Sequence, residues 1–392
     1  MKSKHIYTYC IYAAFFVVAL ISATQGAMLT SIIEEYTLRS YSQGATSSAQ
    51  YLGQAIALFF LFIQAGRVSK PTLVTIALIG AVAVLFVISQ TPPFPALMLT
   101  YCIFGVAYGT VSSTTSALVA DMYVGDNTPK YMSRLHGALG LGWLSAPLLF
   151  AALHEIGLRW NETIRITMLI IIAILIPYFI LTKLNLKKVT LPKSSTQKIT
   201  ITNVKQFFKE NSGLLLILSS FFYASHQAIL IVWIHRFVSV FLETPSLGPI
   251  SLSLLWAGIT TSRLFAHKIP GHPAKKVFLG NIAAAIGICI GLLSNKAEIM
   301  TVSVLIAGLL NGFTIPVLLA TGCEGKSSNT YLPTNMIMLA VCLAYMISLP
   351  IVGYMVSLQP MSSGIYLSAA CALICGILTK LILRQVIVAS KV

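Results

Sequence analysis

Charge is what this 392-residue chain has least of: 9% of its residues are charged, and only ten are acidic. Soluble domains carry about a quarter charged residues, so a soluble globular protein is excluded. The ten acids (Glu34, Glu35, Asp121, Asp126, Glu155, Glu162, Glu210, Glu243, Glu298 and Glu324) all fall at expected helix ends or in loops. No carboxylate is left for a proton relay in mid-membrane. The seven cysteines are scattered without paired metal spacing, and the one close pair, Cys371 and Cys375, has no His or acid beside it. Packing is their expected role, and no metal or cofactor is implied. No nucleophile–base pair has usable spacing, which argues against an enzyme.

What the chain does have is apolar length, with 57% hydrophobic residues. Runs of about 20 residues give twelve helices, near 8–32, 45–66, 72–90, 95–121, 134–155, 163–182, 213–242, 248–268, 275–294, 299–320, 331–356 and 361–385. The 45–66 and 248–268 runs are the most polar. The expected fold class is an all-α integral membrane protein, its twelve transmembrane helices forming two six-helix pseudo-symmetric bundles.

The net charge of +16 would suit nucleic acid, but its distribution points to the bilayer. With the N-terminus inside, 21 Lys and Arg fall on the inner side of the twelve helices, including seven lysines between 183 and 209. Only Arg39, Arg159, Arg165 and Lys296 fall outside, and Arg236 lies within a span. That bias is the positive-inside rule. It puts both termini in the cytoplasm, in an inner (cytoplasmic) membrane, with lipid rather than nucleic acid as partner. The longest loop divides the chain into an N-terminal bundle (1–182), a basic cytoplasmic linker (183–212) and a C-terminal bundle (213–392). Within the linker, NVKQFFKE reads as a short amphipathic helix or as plain solvated linker.

The stretch from Tyr101 to Phe150 carries the clearest packing pattern. Gly105, Gly109, Ser113 and Ala117 recur every four residues, and the next helix repeats the device with Ala138, Gly142 and Ala146 before Pro147. Small residues at this spacing let helices approach closely in lipid. One ridge over, Tyr108, Ser112 and Ser116 should face protein or a wet cavity.

Five motifs in order resemble the major facilitator superfamily, in particular its fucose-permease-like sugar-transporter branch. They are Gly26 to Glu34-Glu35-Tyr36; Ser116 to Asp121 with Leu135-His136, Gly140, Gly142 and Pro147; Phe222-Tyr223, Gln227 and Trp233; Trp256, Gly258 and Arg263; and Ile315-Pro316 with Leu349 to Gly353. The resemblance implies two halves rocking about a central site, without enzyme activity. Two departures bear on mechanism. The turn after helix two, aligned on Gly66-Arg67, holds Ile63 and Gln64 where the family has an acid and an Arg. Gln25, Ser112 and Gln227 stand in the neighbourhoods where sugar–proton symporters of the branch carry carboxylates.

Helix seven is the richest in polar groups. At about 100° per residue, His226 lies about 20° from Trp233 and Arg236 about 60° to its other side, with Tyr223 near the same face. A guanidinium fork suits carboxylate or phosphate, although Arg236 and His235 lie near the outer end and also fit headgroup anchoring. His226 reads either as a proton carrier or as a neutral donor to a neighbouring helix.

Taken together, the sequence describes a secondary-active transporter, symporter or antiporter, working by alternating access on a small polar solute, an organic anion or sugar-like metabolite. A co-transported proton is kept open, and the expected functional unit is a monomer. The substrate-binding candidates are Gln25, Tyr108, Ser112, Ser116, Tyr223, His226, Gln227, Trp233, Arg236, Trp256 and Asn311. Asp121, Arg134, His136, Arg67 and Arg263 are gating candidates, with Asp121–Arg134 as one expected pair. An exporter of siderophores or drug-like compounds, or a non-transporting sensor on the same fold, remain alternatives.

Overall fold

The computed structural model describes residues 2–39, 42, 45–63, 68–123, 128–186, 205, 207–208, 211–265, 272–323, 331–358 and 360–389. Arg67 and most of the linker, 187–204 included, lie outside them. Every regular element among the described residues is a helix.

The chain forms two compact units, Met1–Leu38 with Ala49–Thr196, and Arg39–Ser48 with Gln197–Val392. The first contains α1 (Lys2–Glu35), α2 (Ala45–Ile63), α3 (Lys70–Ser89), α4 (Phe94–Met122), α5 (Thr128–Glu155) and α6 (Trp160–Leu186). The second contains α7 (Asn211–Arg236), continued by a wide π-turn over Phe237–Phe241, then α8 (Leu247–Phe265) and α9 (Pro273–Ser294). It ends with α10 (Ala297–Asn311), α11 (Thr314–Cys323), α12 (Tyr331–Leu358) and α13 (Ser362–Ala389). Counting α10 with α11 as one broken span, each set supplies six spans.

Among the described residues, ten of these spans are long and apolar enough to cross a membrane. The two that are not, α2 and α8, coincide with the runs read above as the most polar. The tenth span, read near 299–320, runs over Ala297–Leu319 with a turn at Gly312-Phe313, one helical turn before Pro316, whose missing N–H leaves the Gly312 carbonyl without its helix partner. The first helix starts six residues earlier than its apolar run, because nothing in HIY or the preceding Lys residues stops a helix.

The duplication suggested by the six-plus-six count is written in the packing. In the first unit α1 packs on α5 and α6, and α3 on α4 and α6. In the second, α7 packs on α12 and α13, and α9 on α10 and α13. The helices opening each set, α1 and α7, are enclosed on all sides: Val17 to Leu29 is buried except at Ser22, and Tyr223 to Leu230 is buried throughout. A helix buried all round belongs at the centre of a bundle.

Glycines set the closest approaches. A Cβ on Gly105 would lie 1.8 Å from the Gln50 carbonyl oxygen, and one on Gly53 would lie 1.9 Å from that of Cys102. Gly109 meets Gln54 and Ala57, so the first half of the α4 stripe is the seat of α2. Gly142 seats α5 against Phe16 and Ala19 of α1. The second unit repeats the α2–α4 contact between α8 and α10, where Gly258 faces the Leu305 carbonyl and Gly308 faces that of Leu255.

Candidate functional site

Breaking a helix inside a membrane bundle frees backbone groups that lipid cannot satisfy. The break between α10 and α11 is satisfied by side chains from its neighbours. Arg263 Nε donates to the Gly312 carbonyl at 3.1 Å. Ser262 Oγ accepts from the Phe313 amide at 3.1 Å. Thr314 Oγ1 donates to the Asn311 carbonyl at 2.7 Å and accepts from Asn281 Nδ2 at 3.0 Å. The gating candidate Arg263, on α8, is therefore part of this support.

The same break presents the Asn311 side chain to α7, where Asn311 Nδ2 lies 2.9 Å from His226 Nε2. The other ring nitrogen, Nδ1, lies 3.0 Å from the Ser368 carbonyl oxygen and 2.8 Å from its Oγ. A carbonyl only accepts, so Nδ1 carries the hydrogen; Nε2 of the neutral ring then accepts from the Asn311 amide. Ser368 Oγ in turn donates to the His226 carbonyl at 3.1 Å. His226, 2% exposed, thus joins α7 to α10 and α13 with every ring nitrogen in use.

The other helix-seven candidates surround this junction. Tyr223 is fully buried against Ile315, Cys375 and Leu319, with the Arg263 guanidinium beside its hydroxyl. Gln227 lies one turn on and Trp233 two turns beyond His226; both are buried, and neither Gln227 Nε2 nor Trp233 Nε1 meets an acceptor among the described residues. Arg236 is half-buried at the mouth of the π-turn, and Trp256 is buried on α8.

In the first unit, Gln25 and Tyr108 are buried, with the Tyr108 ring 6.2 Å from that of Phe104. Ser112 and Ser116 are half-buried and donate within their own helix, to the Gly109 carbonyl at 3.2 Å and the Ser112 carbonyl at 2.8 Å. Back-bonding of this kind spends the hydroxyl hydrogen and leaves lone pairs facing outward. At the opposite end of the charge series, Asp121 pairs with Lys70, not with Arg134 as expected. The reason is tertiary: α3 packs beside α4, which brings the start of one to the end of the other. Arg134 lies over the Tyr131 ring instead, and His136 packs edge-on to Phe15.

Ser262, Asn281, Thr314 and Ser368 are the members that sequence reasoning missed. Each is a single polar residue inside an apolar span, a signal that exists but is repeated by dozens of unrelated serines and threonines.

A model described as the Major Facilitator Superfamily matches residues 11–331. The chain belongs to that superfamily. No curated protein sequence matches it. Solved structures that superpose over nearly the whole chain include the following three. A bacterial homologue of the human lysosomal transporter Spinster, inward-facing and occupied, has a TM-score of 0.71 at 13% identity, covering 97% of this chain and 96% of that one. The human organic anion transporter MFSD10 (TETRAN) gives 0.71 at 15%, covering 96% and 99%. The nucleoside transporter NupG, as a point mutant, gives 0.71 at 14%, covering 96% and 99%. At such identities the likeness is one of fold. As a member of the Major Facilitator Superfamily with ten apolar spans among its described residues, the chain is a multi-pass integral membrane protein and a membrane transporter by family.

Proposed function

We propose that this superfamily member is a secondary-active transporter that moves a small polar solute, an organic anion or sugar-like metabolite, by alternating access across the cytoplasmic membrane, and is not an enzyme. Both termini lie in the cytoplasm, the bundles are 1–182 and 213–392, and the monomer is the functional unit. The observation that carries the reading is the pair of donors, Gln227 Nε2 and Trp233 Nε1, held buried on the central helix α7 with no acceptor among the described residues. A buried donor without a partner costs about 1–3 kcal/mol, and an acceptor-rich solute recovers that cost on binding. Arg236, at the end of the same helix, adds a charge that favours an anion. The five ordered motifs support the sugar-transporter branch.

The test is thermal stabilisation of the purified protein by a panel of sugars, organic acids and siderophores. A ligand at a hundredfold over its Kd adds about 2.7 kcal/mol, a shift of several degrees for a chain this size. Gln227→Leu and Trp233→Phe each remove an unmatched donor. Each variant is expected to leave the ligand-free midpoint unchanged or higher, while the ligand-induced shift falls by more than half. An undiminished shift in both variants overturns the reading of these donors. For Arg236, the expected result of Arg236→Gln is a far greater loss of affinity for an anionic ligand than for its neutral analogue; equal losses make it a headgroup anchor.

A further inference from the structure

Away from α7, the first unit carries a cavity of about 280 Å³ between the opening turns of α1 and α5. His5, Thr8, Tyr9 and Tyr12 line it from α1, spaced so that all four share one helix face, and Tyr131 and Arg134 line it from α5.

The wall is a cationic, aromatic box. Tyr123 and Tyr131 stack with centroids 3.5 Å apart and planes 12° from parallel. Lys4 Nζ lies 4.3 Å over the Tyr123 ring, and the Arg134 guanidinium carbon lies 5.7 Å over the Tyr131 ring. Rings hold these cations, and no carboxylate among the described residues pairs with either; the ion pairs there are Lys70–Asp121 and Arg159–Glu35. Cation–π contact positions a charge without using its N–H donors.

Three of the hydroxyls, by contrast, are committed. Thr8 Oγ1 donates to the Lys4 carbonyl at 2.8 Å, so the Tyr123 hydroxyl, 2.7 Å away, donates to Thr8. The Tyr12 hydroxyl donates to the Tyr131 carbonyl at 3.0 Å. The donors left facing the space are the Arg134 fork and the His5 ring, with Lys4 at its edge. No acid among the described residues contributes to the lining.

We propose that this pocket binds a phosphate group, carried by an anionic lipid headgroup or by a small soluble phosphate ester. A guanidinium fork matches phosphate oxygens in pairs. The positive-inside count puts this end of α1 at the cytoplasmic leaflet, where basic pockets between helices take anionic headgroups. Tyr9, 66% exposed, belongs there too, since tyrosines concentrate at the membrane interface.

Full-length protein in detergent is tested in two arms. Native mass spectrometry follows retention of phosphatidylglycerol against phosphatidylcholine, and the thermal midpoint is titrated with glycerol 3-phosphate against sodium chloride at equal ionic strength. Preferential phosphatidylglycerol retention identifies the lipid source, and a saturable midpoint rise with glycerol 3-phosphate identifies the soluble one. Either signal is expected to weaken at least tenfold in Lys4→Gln/Arg134→Gln and partly in Arg134→Lys, which keeps the charge and loses the fork. It should persist in Lys275→Gln, an exposed lysine elsewhere, and in Gln227→Leu, which separates this pocket from the α7 donors. No preference in the wild type for either probe, or equal binding by wild type and both Arg134 variants, overturns the proposal.

Discussion

Gly105→Leu is expected to leave almost no correctly folded protein in the membrane fraction, and even Gly105→Ala to destabilise it severely. The first carbon of any side chain at this position would sit 1.8 Å from the Gln50 carbonyl oxygen and 2.8 Å from the carbonyl carbon. Both obstacles are backbone, so no rotamer change relieves them; α2 and α4 must separate. Overpacking a core typically costs about 1–3 kcal/mol, and displacing a whole helix belongs at or beyond the top of that range. At about 2.1 cal/mol/K of unfolding entropy per residue, Gly105→Ala should therefore lower the thermal midpoint of a chain this size by roughly 4 °C or more. Gly308→Ala, at the equivalent crossing of α8 and α10, should behave alike. Gly80 and Gly287 supply the control, since a Cβ at either meets nothing within 4 Å. Alanine there should be neutral or stabilising by up to about 1 kcal/mol, the helix-propensity difference. Fluorescence-detected size exclusion and a melting curve for the four variants separate close-approach glycines from incidental ones. Equal tolerance at Gly105 and Gly80 would contradict the packing described.

The second large effect is expected at His226. His226→Leu removes the bonds to Asn311 and Ser368 and strands the buried Asn311 amide inside the bundle, while the Ser368 carbonyl keeps the bond of its own helix. A stranded group costs about 1–3 kcal/mol, while interhelical hydrogen bonds in membranes average nearer 0.6. The sum is about 2–4 kcal/mol, a fall of roughly 2–5 °C in the midpoint of a chain this size. His226→Leu with Asn311→Leu should lose less than the two single losses combined, because no group of that pair is then left without its partner. The hydrogen-bond pattern also bears on coupling. Nε2 accepts from Asn311, so adding a proton there requires the Asn311 amide to turn and present Oδ1. Additive losses in the double variant would count against the junction.

Much of this architecture was legible in the chain. The apolar runs located the spans, and their polarity singled out the two, α2 and α8, that are the least membrane-like. The four-residue recurrence at Gly105 and Gly109 announced a close helix approach and turned out to seat α2, as Gly142 seats α5 on α1. Helix periodicity on FFYASHQAILIVWIHRF grouped Tyr223, His226 and Trp233 before any coordinates. What escaped the sequence are features made by tertiary contact. The break at Gly312-Phe313 is the exception, written one turn ahead in Pro316, which has no N–H for the Gly312 carbonyl; what the sequence hides is that Arg263 arrives from another helix to take that carbonyl. Asp121 was matched with Arg134 by nearness along the chain, whereas its partner Lys70 comes from a helix packed alongside. His5, Thr8, Tyr9 and Tyr12 follow helical spacing and were readable as a face, but only α5 turns that face into a pocket.

The measurement that bears most directly on the central claim is counterflow in proteoliposomes, using as labelled solute whichever member of the panel raises the melting point most. The account predicts that label accumulates transiently against unlabelled solute inside, that the signal needs the protein, and that Gln227→Leu and Trp233→Phe reduce it in step with the lost thermal shift. A solute that stabilises the protein yet never crosses the bilayer would contradict transport and leave a sensor on a transporter fold.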